Sequence, residues 1–207
     1  MSKKLKVAFI GTGIMGAPIA GHIMDAGYPL TVFNRTKAKA EGLIAKGATW
    51  ADSPAEAAKD ADVVFTMVGF PTDVEEIYLA GDGLLATAKD GAYLIDLTTS
   101  APELARDIAG AAEVCGKHAF DCPVTGGEGG ALAGTLTAIV GATERDIEPV
   151  RAVLETFTSK IFCFGGAGRA RPQSSPTRSH LPAPWWAWPT RCPSRSRTTS
   201  TSNRSAR

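Results

Sequence analysis

Residues 5–20, LKVAFIGTGIMGAPIA, decide how this chain folds. Leu5 to Ile10 is a short apolar run of strand length, and Gly11-Thr12-Gly13-Ile14-Met15-Gly16 follows it as a Gly-x-Gly-x-x-Gly turn. Behind the turn, Ile14, Ile19, Ile23 and Met24 recur at roughly helical spacing. Strand, tight turn and helix in that order are the opening of a βαβ unit that holds a dinucleotide. Gly11 permits the tight turn, Gly13 lets the backbone approach a pyrophosphate, and Gly16 lets helix and strand pack closely. The helix N-terminus then faces the negative charge, so Ile14 and Met15 join the three glycines as cofactor-binding candidates.

The pattern continues outward. Leu30–Phe33 reads as a second strand, 37–46 as a helix ending before Gly47, and Asp62–Val68 as a buried-type strand. Ser53-Pro54-Ala55-Glu56 has capping-box spacing with proline at the first helical position. Ala92–Asp96 is a strand, Ser100-Ala101-Pro102-Glu103 opens a helix, His118–Asp121 and Leu136–Val140 are strands, and Thr143–Phe157 is a helix. The order βαβαβ predicts an α/β, Rossmann-type doubly wound and mostly parallel sheet, with ligands beyond the carboxyl ends of its strands.

Composition bounds the class. With 207 residues, 44% hydrophobic and 21% charged, the chain can bury one good core. No apolar run reaches membrane-spanning length and no signal peptide is recognisable, so a cytoplasmic location is expected. Four cysteines without a CxxC pair or a histidine at ligand spacing predict reduced thiols and no structural metal. The net charge of +1 averages two unlike parts: all 21 acidic residues precede Gly168, against 14 Lys and Arg there, a net −7. From Arg169 to Arg207 come eight arginines, six prolines, eight serines, three tryptophans and no acid. The domain reading is therefore 1–166 as a nucleotide-binding domain and 167–207 as an aberrant tail without a burying pattern, expected to be disordered.

The second strand ends at Asn34-Arg35-Thr36, where an NAD site usually offers an acid to the adenosine ribose. Arg35 instead suits a 2′-phosphate through a charge-assisted contact, with Asn34 and Thr36 as further donors. NADP is the expected cofactor, with NAD as the alternative. Met67 and Val68, at the end of a buried strand before Gly69-Phe70-Pro71, should lie along the cofactor, and Thr98 and Thr99 should accompany the nicotinamide ribose.

Residues 121–142, DCPVTGGEGGALAGTLTAIVGA, hold a second candidate. Gly126 and Gly127 can take positive φ and leave backbone N–H groups uncovered, and the hydroxyl of Thr125 adds a donor beside them. The stretch reads as a Pro-Val-Thr-Gly-Gly turn followed by a glycine-spaced strand, and its three neutral donors suit a small carboxylate; the same residues also fit a Gly-rich hairpin connection with no ligand.

These three ordered motifs, FIGTGIMGAPIA, IDLTTSAP at Ile95–Pro102 and DCPVTGGEGGALAGTLTAIVGA, resemble the β-hydroxyacid dehydrogenase family, which includes 3-hydroxyisobutyrate dehydrogenase and 2-hydroxy-3-oxopropionate (tartronate semialdehyde) reductase. The resemblance implies hydride transfer between a nicotinamide cofactor and a small β-hydroxy acid or its oxidised form. It also implies a following helical domain, association into homo-oligomers through that domain, and a lysine and an asparagine on its first helix, the lysine acting as general acid or base. The family pattern there is Gly, three residues, Lys, two residues, Asn.

After Gly168 this chain reads Arg169-Ala170-Arg171-Pro172-Gln173-Ser174-Ser175-Pro176, with neither residue. Lys160 precedes the glycine-rich segment and is read as structural, so no catalytic residue is assigned, the helical domain and its interface are expected to be missing, and turnover is expected to be poor. The tail itself reads as the right gene in a displaced frame. Tryptophan has one codon, and shifting Trp185-Trp186-Ala187-Trp188-Pro189 by one base forces Val-Gly, an apolar residue and Ala. The alternative is a nucleotide-binding module whose basic tail contacts nucleic acid or an acidic partner; a frame error produces the same composition without any contact, which makes nucleic acid the weaker expectation.

Overall fold

A computed structural model describes residues 4–170. Its main sheet is formed by β1 (Val7–Ile10), β2 (Leu30–Phe33), β3 (Thr49–Trp50), β4 (Val63–Thr66), β5 (Tyr93–Asp96) and β6 (His118–Asp121), all parallel and ordered β3-β2-β1-β4-β5-β6. The order reverses between β1 and β4, so the chain is wound outward in both directions from the centre, as the alternating sequence predicts.

The helices cover both faces because the central strands are apolar on both. In β1, Val7 and Phe9 enter one core, and Ala8 and Ile10 the other; in β4, Val63 and Phe65 face the first core and Val64 the second. The first face carries α1 (Gly16–Asp25) and α2 (Glu41–Ala45), the second α3 (Pro54–Ala58), α4 (Pro71–Leu79), α5 (Leu84–Thr87) and α6 (Pro102–Val114). Ser53 caps α3 as expected, accepting from the Glu56 N–H at 3.0 Å, while the Glu56 carboxylate accepts from the N–H of Asp52.

A second sheet joins the first face. β7 (Val124–Thr125), β8 (Leu136–Val140) and β9 (Thr158–Cys163) are ordered β7-β8-β9, the first pair antiparallel and the second parallel. Phe157, just before β9, meets the ring of Phe65 edge-on with centroids 5.8 Å apart, and Phe65 stacks on Phe9 at 6.0 Å. These rings join the two sheets in one core.

Leu136–Val140 is the expected strand and lies in the second sheet, while three local expectations are corrected. The turn at Gly126-Gly127 runs into a helix, α7 (Gly127–Ala133), before that strand begins, because Ala131, Leu132 and Ala133 supply helix formers that the glycines obscure. The segment 37–46 is divided into a 3-10 turn at Lys37–Ala40 and then α2. The single helix expected over Thr143–Phe157 is two short ones, α8 (Glu144–Ile147) and α9 (Arg151–Leu154), parted at Pro149, which has no N–H to continue the ladder. The expectation of disorder covers 167–207, of which 171–207 lie outside the described residues; within 167–170 the Gly168 N–H donates to Asp121 and the Arg169 N–H to the Gly166 carbonyl.

Candidate functional site

The carboxyl ends of β1, β2 and β4 open into a cleft of about 660 Å³. Its floor is the glycine turn, and the three glycines are required for three different reasons. A Cβ on Gly11, which has φ +99°, would lie 2.1 Å from the Met67 carbonyl oxygen, so β1 and β4 can approach only without one. A Cβ on Gly16 would lie 1.9 Å from the Gly11 carbonyl oxygen. Gly13 has nothing within 4 Å of that position, so its missing side chain leaves room in the cleft itself. An open backbone at Gly13, ahead of the N-terminus of a ten-residue helix with no acid in its first turn, is a fit for a pyrophosphate.

Of the residues expected to hold the cofactor, Gly11, Gly13, Ile14, Met15, Gly16, Asn34, Arg35, Met67 and Val68 line this one cleft. Ile14 is 71% exposed, an apolar side chain left standing at the cleft. Asn34 is engaged at both ends of its amide: Oδ1 accepts from the Thr12 N–H at 3.1 Å and Nδ2 donates to the Thr36 carbonyl at 3.0 Å. Asn34 therefore braces the glycine turn against the end of β2. Arg35 has a side chain 77% exposed, and its Nη1 lies 3.4 Å from Asp73 Oδ1 on α4. Lys39 also lines the cleft, a cation that the sequence reading left out.

Thr36, Thr98 and Thr99 do not line it. Thr98 is buried, and its hydroxyl accepts from the Val68 N–H at 3.1 Å, so it acts on the cleft by fixing the end of β4. Behind it stands a buried network. Asp96 accepts from the Thr98 N–H at 2.9 Å, from Thr66 Oγ1 at 3.1 Å and from Ser100 Oγ at 2.5 Å, while Thr66 Oγ1 also lies 2.9 Å from the Tyr78 hydroxyl. Burial pushes both the Tyr78 phenol and the Asp96 carboxyl above their ordinary values. Sequence reasoning missed this network because Tyr78 sits on α4, which Phe70-Pro71 disguised as a strand-ending turn.

Thr125, Gly126 and Gly127 are exposed outside the cleft, and both glycines have positive φ, +132° and +61°. Nearby, Asp121 is buried and its Oδ1 accepts from the Gly168 N–H at 2.8 Å, tying the glycine-rich segment after β9 back to β6. Lys160 is exposed on β9. Among the described residues no group of three His, Cys, Asp or Glu side chains is placed to hold a metal ion, and no helix is long and apolar enough to cross a membrane.

The family model described as the NAD binding domain of 6-phosphogluconate dehydrogenase matches residues 6–165. The chain belongs to the 6-phosphogluconate dehydrogenase-like, 3-hydroxyisobutyrate dehydrogenase family. An uncharacterized oxidoreductase of Bacillus subtilis, YkwC, is 46% identical over 165 residues, which is 80% of this chain and 57% of the relative. Mycobacterium tuberculosis 3-hydroxyisobutyrate dehydrogenase, solved with L-serine, superposes with a TM-score of 0.76 at 36% identity, covering 81% of this chain and 57% of that one. Psf3, solved in complex with NADP+ and 2-OPP, gives 0.76 at 37% identity, covering 79% and 58%. The chain thus spans a little over half the length of the relatives it matches.

Proposed function

We propose that residues 1–166 form the dinucleotide-binding domain of an oxidoreductase of the 3-hydroxyisobutyrate dehydrogenase type, with NADP as the better-fitting cofactor. The observation that carries the reading is the gap at Gly13, open where Gly11 and Gly16 are closed, in a cleft rimmed by Arg35 and Lys39. When bound, the nicotinamide supplies or accepts a hydride. Gly13, Ile14, Met15 and the α1 N-terminus would hold the pyrophosphate, and Arg35 and Lys39 a 2′-phosphate. The end of β2 offers Asn34 where an acid would favour NAD, and Asn34 already has both ends of its amide occupied. Psf3 as an NADP+ complex is consistent with this choice.

The substrate reading rests on Thr125, Gly126 and Gly127, whose exposed donors and positive-φ backbone suit the carboxylate of a small hydroxy acid. In this chain the positions after Gly168 carry neither the lysine nor the asparagine of the family pattern, and Lys160 lies on β9 ahead of that point. A missing general acid or base lowers turnover by about 10²–10⁴-fold. The 207-residue chain is therefore proposed to bind nucleotide with little catalysis. Incubating it with NADP+ and 3-hydroxyisobutyrate or L-serine, and following NADPH absorbance, should give at most a trace rate; turnover at an ordinary enzyme rate would contradict this. Resequencing the gene from codon 160 tests the origin of the tail, since an undisplaced frame there would contradict the frame error.

A further inference from the structure

We infer that Asp73 is a specificity-determining residue of the nucleotide cleft, limiting its preference for a 2′-phosphorylated cofactor. The inference rests on the proposed nucleotide reading. The two walls of the cleft carry opposite charge: Arg35 and Lys39 follow β2, while Asp73 and Glu76 stand on α4 with Asp82 beyond it. Of these three acids, among the described residues, Asp73 is the one paired with the opposite wall, its Oδ1 3.4 Å from Arg35 Nη1. Its side chain is 18% exposed against 77% for Arg35, so the carboxylate is the enclosed partner and the guanidinium the solvent-facing one.

Asp73 is fixed because it has a second task. Its Oδ2 accepts from the Phe70 N–H at 3.3 Å, closing the first turn of α4. A 2′-phosphate brought to Arg35 must therefore share that guanidinium with a carboxylate held in place, and like charges a few ångströms apart repel. A ribose bearing only hydroxyls meets no such repulsion and can donate to the same carboxylate. Asp73 thus supplies, from α4, the acid that the end of β2 lacks. Arg35 favours NADP and Asp73 opposes it, both through one contact.

The substitution Asp73→Asn tests this without removing the helix cap, because asparagine Oδ1 can accept from the Phe70 N–H. Calorimetric titration of the 207-residue chain with NADP+ and NAD+ gives the ratio of the two Kd values, and that ratio should move toward NADP+ by roughly five- to tenfold, the size of one charge removed at a solvent-facing rim. Asp73→Ser, read the same way, covers the case in which the asparagine variant folds poorly. Adding Arg35→Met to Asp73→Asn should abolish most of the gain. An unchanged ratio in the variants, or a shift toward NAD+, would overturn the inference while leaving the nucleotide site standing. Binding of neither dinucleotide by the wild type would overturn both.

Discussion

The imidazole of His22 on α1 closes the C-terminal end of α7, its Nε2 3.0 Å from the Ala131 carbonyl oxygen and 3.1 Å from that of Leu132. Both neighbours are acceptors, so Nε2 carries the proton. The ring also fills the space beside Gly134, where an added Cβ would lie 3.1 Å from it. The helix whose N-terminus faces the cleft is thereby fastened to the helix that begins at Gly127. His22→Ala should lower stability by about 1–2 kcal/mol, from a lost hydrogen bond and a small cavity. Urea unfolding measures it, and an unchanged midpoint would show that the contact contributes nothing.

The glycine turn separates fold from binding. Gly13→Ala should leave stability within about 0.5 kcal/mol of the wild type, because its Cβ meets open space. It should still weaken dinucleotide binding by occupying that space. Gly11→Ala should cost more than about 2 kcal/mol, since it combines a positive φ with a Cβ 2.1 Å from the Met67 carbonyl oxygen. Thermal unfolding and nucleotide titration of the two variants should rank them in opposite orders.

The buried carboxylate of Asp96 gives a pH signature. Burial raises its folded-state pKa above the unfolded value, so the folded chain holds this proton more tightly than the unfolded chain. That contribution to stability is complete below the unfolded value, near 4, and is lost as pH rises through the folded value. Asp96→Asn cannot titrate. Chemical denaturation from neutral pH downward should show the wild type gaining stability relative to the variant; a constant difference across that range would contradict the assignment.

Much of this was legible in the residues. The strands β1, β2, β4 and β5 are short, mostly apolar runs between turn signals, and Gly11, Gly13 and Gly16 mark the cleft because a dinucleotide turn leaves little choice of residue. What the sequence concealed lay where one signal had two meanings. Pro71 ends a strand or begins a helix equally well, and here it begins α4, the element that brings Tyr78 to Thr66 and Asp73 to Arg35. Glycines 126, 127, 129 and 130 lower helix propensity, yet α7 forms because it packs on α1 and is held by His22. Contacts across 109 residues of chain, such as His22 with Ala131, leave no mark in local pattern.

Asp121 governs the segment that leaves β9. Its carboxylate accepts from the Gly168 N–H, and a Cβ on Gly141 would lie 2.0 Å from the same oxygen, so the fit is close on both sides. Asp121→Ala should free the backbone around Arg169 and hasten tryptic cleavage there, whereas Asp121→Asn, which keeps an acceptor, should not. Equal cleavage rates in the two variants would contradict this role.

The central claim is that the cleft over Gly13 holds a dinucleotide. Calorimetric titration of NADP+ into the purified 207-residue chain tests it most directly. The account predicts saturable binding at one site, weakened by Arg35→Met and by Gly13→Ala; absence of binding by the folded wild-type chain would contradict it.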